Sequence, residues 1–243
     1  SRVGESAGKM YGFVYDGTYK EEDFNITVNE NGKKTYELKP GVPKFKDGCQ
    51  PGDPKYKNID GSEDNLITDN DRTVIGNGHP LHTGGFTNNF VYKNWDLNIF
   101  LQWSYGNDVF NVNRLVMENP GAKKQLNQFA SYKNRWSESN PTSNIPRVRA
   151  VGADEYSSLY VEDGSFLKLK TISLGYNFDT KTLKRIGLSA ARVFVSAENI
   201  ATITGYSGSD PEVSTRHSVL TPGFDWSAYP RAFNASLGVN VTF

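Results

Sequence analysis

The sequence has little of what marks most chemical functions. A single cysteine, Cys49, in 243 residues excludes an intrachain disulfide framework. With only three histidines beside it, a Cys/His zinc site lacks ligands. Lys plus Arg and Asp plus Glu stand at 27 each, so no basic excess marks a nucleic-acid surface. There is no G-x-S-x-G, no phosphate-binding glycine loop and no nucleophile pattern around a histidine, which points away from an enzyme. Adjacent acids such as Glu21 and Glu22 say nothing about the carboxyl spacing that glycoside hydrolysis needs. No run of 18 apolar residues occurs, so a transmembrane helix is absent, but barrel strands alternate and escape that test. The chain opens SRVGES with neither Met nor a signal-like stretch, as expected of a processed or partial chain.

What is present favours strands. Aromatics reach 13% and glycine is plentiful at 23 residues. In RAFNASLGVNVTF (231–243), every second residue from Phe233 to Phe243 is apolar, and the intervening row is Asn234, Ser236, Gly238, Asn240 and Thr242. Such alternation places one row on each face of a strand. WDLNIFLQWSY (95–105) repeats it, with Trp95, Leu97, Ile99, Leu101, Trp103 and Tyr105 on one face. Eleven residues at about 3.3 Å each, tilted about 45°, rise roughly 25 Å, the height of a barrel's lipid-facing band. Aromatics at both ends suit the two headgroup regions. GFTNNFVYK (85–93), KTISLGYNF (170–178) and ARVFVSAENI (191–200) complete five expected strands.

Short and long connections alternate between these strands. Transmembrane barrels do this, with short periplasmic turns and long external loops. A periplasmic C-terminus then places every long segment outside. Five strands cannot close a barrel, and an open edge in lipid would strand backbone groups. The expectation is therefore an all-β chain, the C-terminal portion of a large antiparallel transmembrane barrel, whose terminal Phe243 completes the last strand. A soluble, secreted β-sandwich that binds glycans is the alternative, because short alternating strands build sandwiches too.

DGSEDNLITDND (60–71) has the register of a calcium loop. Asp60, Ser62, Asp64, the Leu66 carbonyl, Thr68 and Asp71 fall at the ligand positions. Asn65 stands where glycine is usual, and Asp71 has a shorter arm than the usual Glu. A structural Ca²⁺ and an Asx-rich turn are both compatible with this spacing. No other cofactor is expected.

GKMYGFVYDGTY (8–19), QPGDPKYKNIDG (50–61), ITDNDRTVIGNGHP (67–80), YGNDVFN (105–111), LYVEDGSFLKLKTISLGYNF (159–178) and VFVSAENIATITGYSGSDPEV (193–213) together resemble the SusC/RagA-type TonB-dependent transporters of Bacteroidetes. The resemblance covers almost the whole of 1–243 and implies a barrel of about 22 strands. Within it, 1–80 would be mostly extracellular loop and 81–243 about five spanning strands with their loops. The plug domain and the TonB-contacting region would lie outside this chain. It further implies an outer-membrane importer of oligosaccharides or other large nutrients, glycan or peptide, working with a SusD-like surface lipoprotein and the TonB complex. Outer-membrane lipid and the remainder of the same transporter would be its other partners. In that family Phe243 corresponds to the signal read during barrel assembly. Trp136, Tyr206, Phe224, Trp226 and Tyr229 fall in the expected external loops, where flat rings can touch cargo, touch the lid or pack the loops together.

Overall fold

The computed structural model describes residues 4–119, 127–212 and 221–243. Two compact units are formed: Ser1–Gly78 with Val109–Glu162 and Ser214–Ala228, and His79–Asp108 with Asp163–Val213 and Tyr229–Phe243.

The second unit holds five long strands, β1 (His82–Tyr92), β2 (Trp95–Tyr105), β3 (Phe166–Asn177), β4 (Ala190–Thr204) and β5 (Asn234–Thr242). They form one antiparallel sheet in the order β5-β4-β3-β2-β1. Each strand lies beside its neighbour in the chain, an up-and-down meander. Lys93 and Asn94 alone join β1 to β2, with Lys93 at φ +52° to close the tight turn. A short helix, Thr180–Lys184, with Leu183 buried beneath it, fills the connection from β3 to β4.

β2 has the limits expected from its alternation. β3 and β4 are longer than expected, and β5 is shorter. The cause in β3 and β4 is a bulge. Register shifts between Leu169 and Thr171 against both neighbours, and Asn199 in β4 takes φ +53° at the same level. An extra residue reverses the alternation. Leu167 and Leu169 therefore share a face with Ile172 and Leu174, and the two halves of β3 read as unrelated segments.

Glycines inside strands have neighbours that need the space. The Trp103 ring covers Gly84, Phe194 covers Gly238, and the Arg192 guanidinium crosses Gly175. Each would collide with an added Cβ.

The first unit is built from small pieces. Lys9–Gly12 pairs with Thr73–Asn77, Tyr15–Thr18 with Pro54–Tyr56, and Phe24–Val28 with Lys34–Leu38. Aromatic clusters hold them: Phe13, Phe45, Tyr56 and Ile67 in one, Tyr19, Phe24 and Cys49 in another, and Phe110, Val112 and Tyr160 in a third. Asp53 is fully buried, ion-paired to Arg147 at 2.7 Å, and accepts the backbone N–H groups of Gln50 and Val151. Burial pushes its carboxyl upward against the pull of Arg147.

Candidate functional site

The register of the five strands sorts their side chains into two faces. In β2, Leu97, Ile99, Leu101 and Trp103 stand opposite Phe90, Asn88, Phe86 and Gly84 of β1, and opposite Leu174, Ile172, Leu169 and Leu167 of β3. The row continues through Val195, Ala197, Ala201 and Ile203 of β4, and through Leu237 and Ala235 of β5. One face of the sheet is thus almost wholly apolar from edge to edge. It is also exposed: Phe86 is 55% accessible, Ile203 71% and Leu237 76%. A soluble sandwich would bury this row against a second sheet. An exposed apolar face of this extent is instead a surface made for an apolar medium.

The opposite face is hydrophilic and cross-linked. Asp96 of β2 takes a bidentate ion pair from Arg192 of β4, at 2.5 and 3.1 Å, and a hydrogen bond from Asn177 Nδ2 at 2.9 Å. Gly175 lies under that guanidinium, and only glycine leaves the crossing open. Asn98 donates to Asn89 at 2.6 Å, and Ser196 and Ser236 share a hydrogen bond at 2.7 Å. Lys170 at the bulge donates to Gln102 at 2.7 Å. Lys168 is 2% accessible and meets Asp210 and Glu212. None of these pairings was expected from the sequence. Their signal was charge on the polar row of an alternating strand, which shows facing but not partners.

The acidic loop is tied together by its own backbone. Asp71 is fully buried and accepts from the N–H groups of Ile59 (2.7 Å), Asp60 (3.1 Å) and Thr68 (2.8 Å). Burial opposes its charge, but those three donors outweigh burial and hold the carboxyl below the usual range. Asp60 accepts from Ser62 N–H, and Asp64 from Ser62 Oγ and the Leu66 N–H, while Thr68 Oγ1 accepts from Asn70 N–H. Asn65 takes the left-handed conformation, φ +53°. Among the described residues no group of three or more His, Cys, Asp or Glu side chains could hold a metal ion. The side-chain oxygens of Asp60, Asp64, Thr68 and Asp71 accept backbone N–H groups of the loop itself.

The loop aromatics divide by environment. Trp136 packs its ring onto Gly52, whose φ is +87°. Tyr206 is 5% accessible and lies against Gly208. Phe224 stacks on Phe110, ring centroids 5.7 Å apart and planes within 8°, and forms a wall of a 230 Å³ apolar cavity with Met10, Tyr11, Tyr156 and Pro222. These three pack the loops. Trp226 (40%) and Tyr229 (91%) are the more accessible of the five. Phe243, 92% accessible, follows the last residue of β5, and its carbonyl accepts from Ser189 Oγ at 3.2 Å.

No protein-family model matches the chain. The TonB-dependent receptor P3 of Formosa agariphila is 33% identical over 247 residues, covering 100% of this chain and 23% of that receptor. The TonB-dependent receptor SusC of Bacteroides thetaiotaomicron is 30% identical over 65% of this chain and 15% of its own length. The chain thus spans about a quarter or less of the curated relatives it matches. Among solved structures, the RagAB peptide transporter superposes with a TM-score of 0.68 at 22% identity, over 97% of this chain and 23% of that one. That likeness shows the fold: the strands here have the arrangement of a segment of that protein.

Proposed function

This chain belongs, as a segment, to the TonB-dependent receptors of the SusC/RagA type, and from that premise we propose that it forms part of the wall and outer loops of an outer-membrane nutrient importer. One observation carries the reading. Five consecutive strands present an almost wholly apolar, exposed face in register, backed by a hydrophilic, cross-linked one. A bilayer outside and a water-filled passage inside satisfy both faces at once. The wall acts by enclosing, with no chemistry of its own.

The long connections extend the proposal to a partner. They fold around aromatic clusters instead of trailing as linkers. Loops over about 12 to 15 residues that carry their own structure are usually functional. We assign them to contact with a SusD-like lipoprotein that closes over the mouth and traps cargo before TonB-driven import. The cargo class is an oligosaccharide, by the resemblance to SusC. A peptide is the second reading, because the structurally similar RagAB complex is a peptide transporter. Tyr229, 91% accessible, is the proposed contact, with Trp226 near it in the same loop.

The test is a pull-down of the intact receptor in mild detergent, paired with uptake assays. The lipoprotein co-purifies, the interface exceeds about 1,000 Å² in the complex, and Trp226→Ala with Tyr229→Ala weakens capture or uptake. Recovery without a lipoprotein, together with undiminished uptake after deletion of the neighbouring lid gene, would remove the lid from the mechanism.

A further inference from the structure

Lys168 is among the least accessible side chains in the molecule, yet it stands on the hydrophilic face of β3, opposite Gln102 and Thr202. What covers it is the chain that leaves β4. Lys168 Nζ is 2.5 Å from Glu212 Oε2 and 3.4 Å from Asp210 Oδ1. Asp210 Oδ1 also accepts the Glu212 N–H at 3.0 Å, while Asp210 Oδ2 accepts the Arg231 N–H at 3.2 Å. Arg231 Nε lies 3.4 Å from Glu212, and Lys170 Nζ 4.0 Å. Thr204 Oγ1, at the end of β4, accepts the Tyr206 N–H, and Tyr206 is buried just beyond. The outgoing limb (205–212) and the returning limb at Arg231 are therefore fastened to the same point on the wall.

We propose that Lys168 is a positioning residue that clamps the 205–212 segment inward against the hydrophilic face, so that this segment narrows the passage instead of standing off the rim. The proposal rests on the reading of that face as the inner one. Its physical basis is mutual dependence. A buried ammonium is tolerated only while its carboxylates stay in place, and the carboxylates have two further cations, Lys170 and Arg231, to hold them. Removing Lys168 releases the side of the segment that faces the wall. Lys168→Arg keeps a cation there. The sequence places the same pairing in view only afterwards, since Lys168 in FLKLK (166–170) precedes Asp210 and Glu212 in SGSDPE (207–212) by 42 and 44 positions.

The experiment uses the full-length receptor, in its own outer membrane and purified in detergent. Lys168→Met is expected to raise backbone hydrogen exchange across 205–212 by tenfold or more. It is also expected to raise ion conductance in planar bilayers and sensitivity to a large hydrophilic antibiotic, with the heat-modifiable barrel unchanged. Lys168→Arg should behave as the parent. Asp210→Asn repeats the test should Lys168→Met fail to assemble. Unchanged exchange in 205–212, or faster exchange with unchanged conductance, would overturn the proposal. Lipid-nitroxide quenching of bimane at Ser173→Cys and Leu174→Cys in the parent reads which face is inside. A wrong assignment of the faces therefore shows before any Lys168 variant is compared.

Discussion

Leu101→Arg probes the apolar face where it has most to lose. Leu101 lies six residues beyond Trp95 and four before Tyr105. At about 3.3 Å per residue and about 45° of tilt, that is roughly 14 Å and 9 Å along the membrane normal, close to the midplane. Its neighbours in register are Phe86 and Leu169, so nothing nearby can accept a guanidinium. An arginine at that depth on the lipid face of a barrel costs about 2 to 4 kcal/mol. The comparison is Ser196→Arg on the other face, where the loss is one exposed hydrogen bond to Ser236, about 1 kcal/mol or less. Gln102 is a poorer control, because an arginine there would face Lys170. The assay is a urea folding titration of the full-length receptor into vesicles. Equal costs for the two variants would refute the assignment of the faces.

Three further outcomes are expected. Asp71 has its folded-state carboxyl value depressed, so its contribution is present above the unfolded value of about 3.9 and lost as pH falls through the lower folded value. Hydrogen exchange across 59–71 should therefore rise below about pH 4, Asp71→Asn should abolish that dependence, and added calcium should leave the exchange unchanged. Gly52→Ala should loosen 50–56 far more than Gly48→Ala loosens its own turn. Both glycines have positive φ, but an added Cβ at Gly52 meets Trp136 Cε3 at 2.5 Å whereas Gly48 has open space, and proteolysis rates of the two variants check the difference. Phe243→Ala should lower the amount of assembled barrel in membranes while shifting the stability of the assembled fraction by no more than about 0.5 kcal/mol, since the ring is almost fully exposed.

Strand identity was legible wherever alternation ran unbroken, and β2 is the clearest case. Facing was legible there too, because apolar and polar rows separate cleanly. β3 was read only from Lys170 onward, because the bulge moves Leu167 and Leu169 into the opposite phase from Ile172 and Leu174. The first unit was closed to this kind of reading for another reason. Its strands are two to five residues long, too short for a period, and apart from the hairpin of Phe24–Val28 with Lys34–Leu38 their partners are distant in sequence, as when Lys9–Gly12 meets Thr73–Asn77. The aromatic candidates shared one signature in the sequence. Burial then separated Trp136, Tyr206 and Phe224 from Trp226 and Tyr229, and burial depends on tertiary packing. For 60–71, ligand spacing and turn spacing coincide because both use short oxygen-bearing side chains at alternate positions.

The central claim is that the apolar face of the five-stranded sheet meets lipid. Its most direct test is a cysteine scan along β2, with bimane attached in turn at 97, 98, 99, 101 and 102 of the full-length receptor in vesicles carrying nitroxide-labelled lipid. The account predicts strong quenching at 97, 99 and 101, deepest nitroxides acting best near 99 and 101, and weak quenching at 98 and 102. Uniform quenching along the strand, or quenching in the opposite phase, would contradict it.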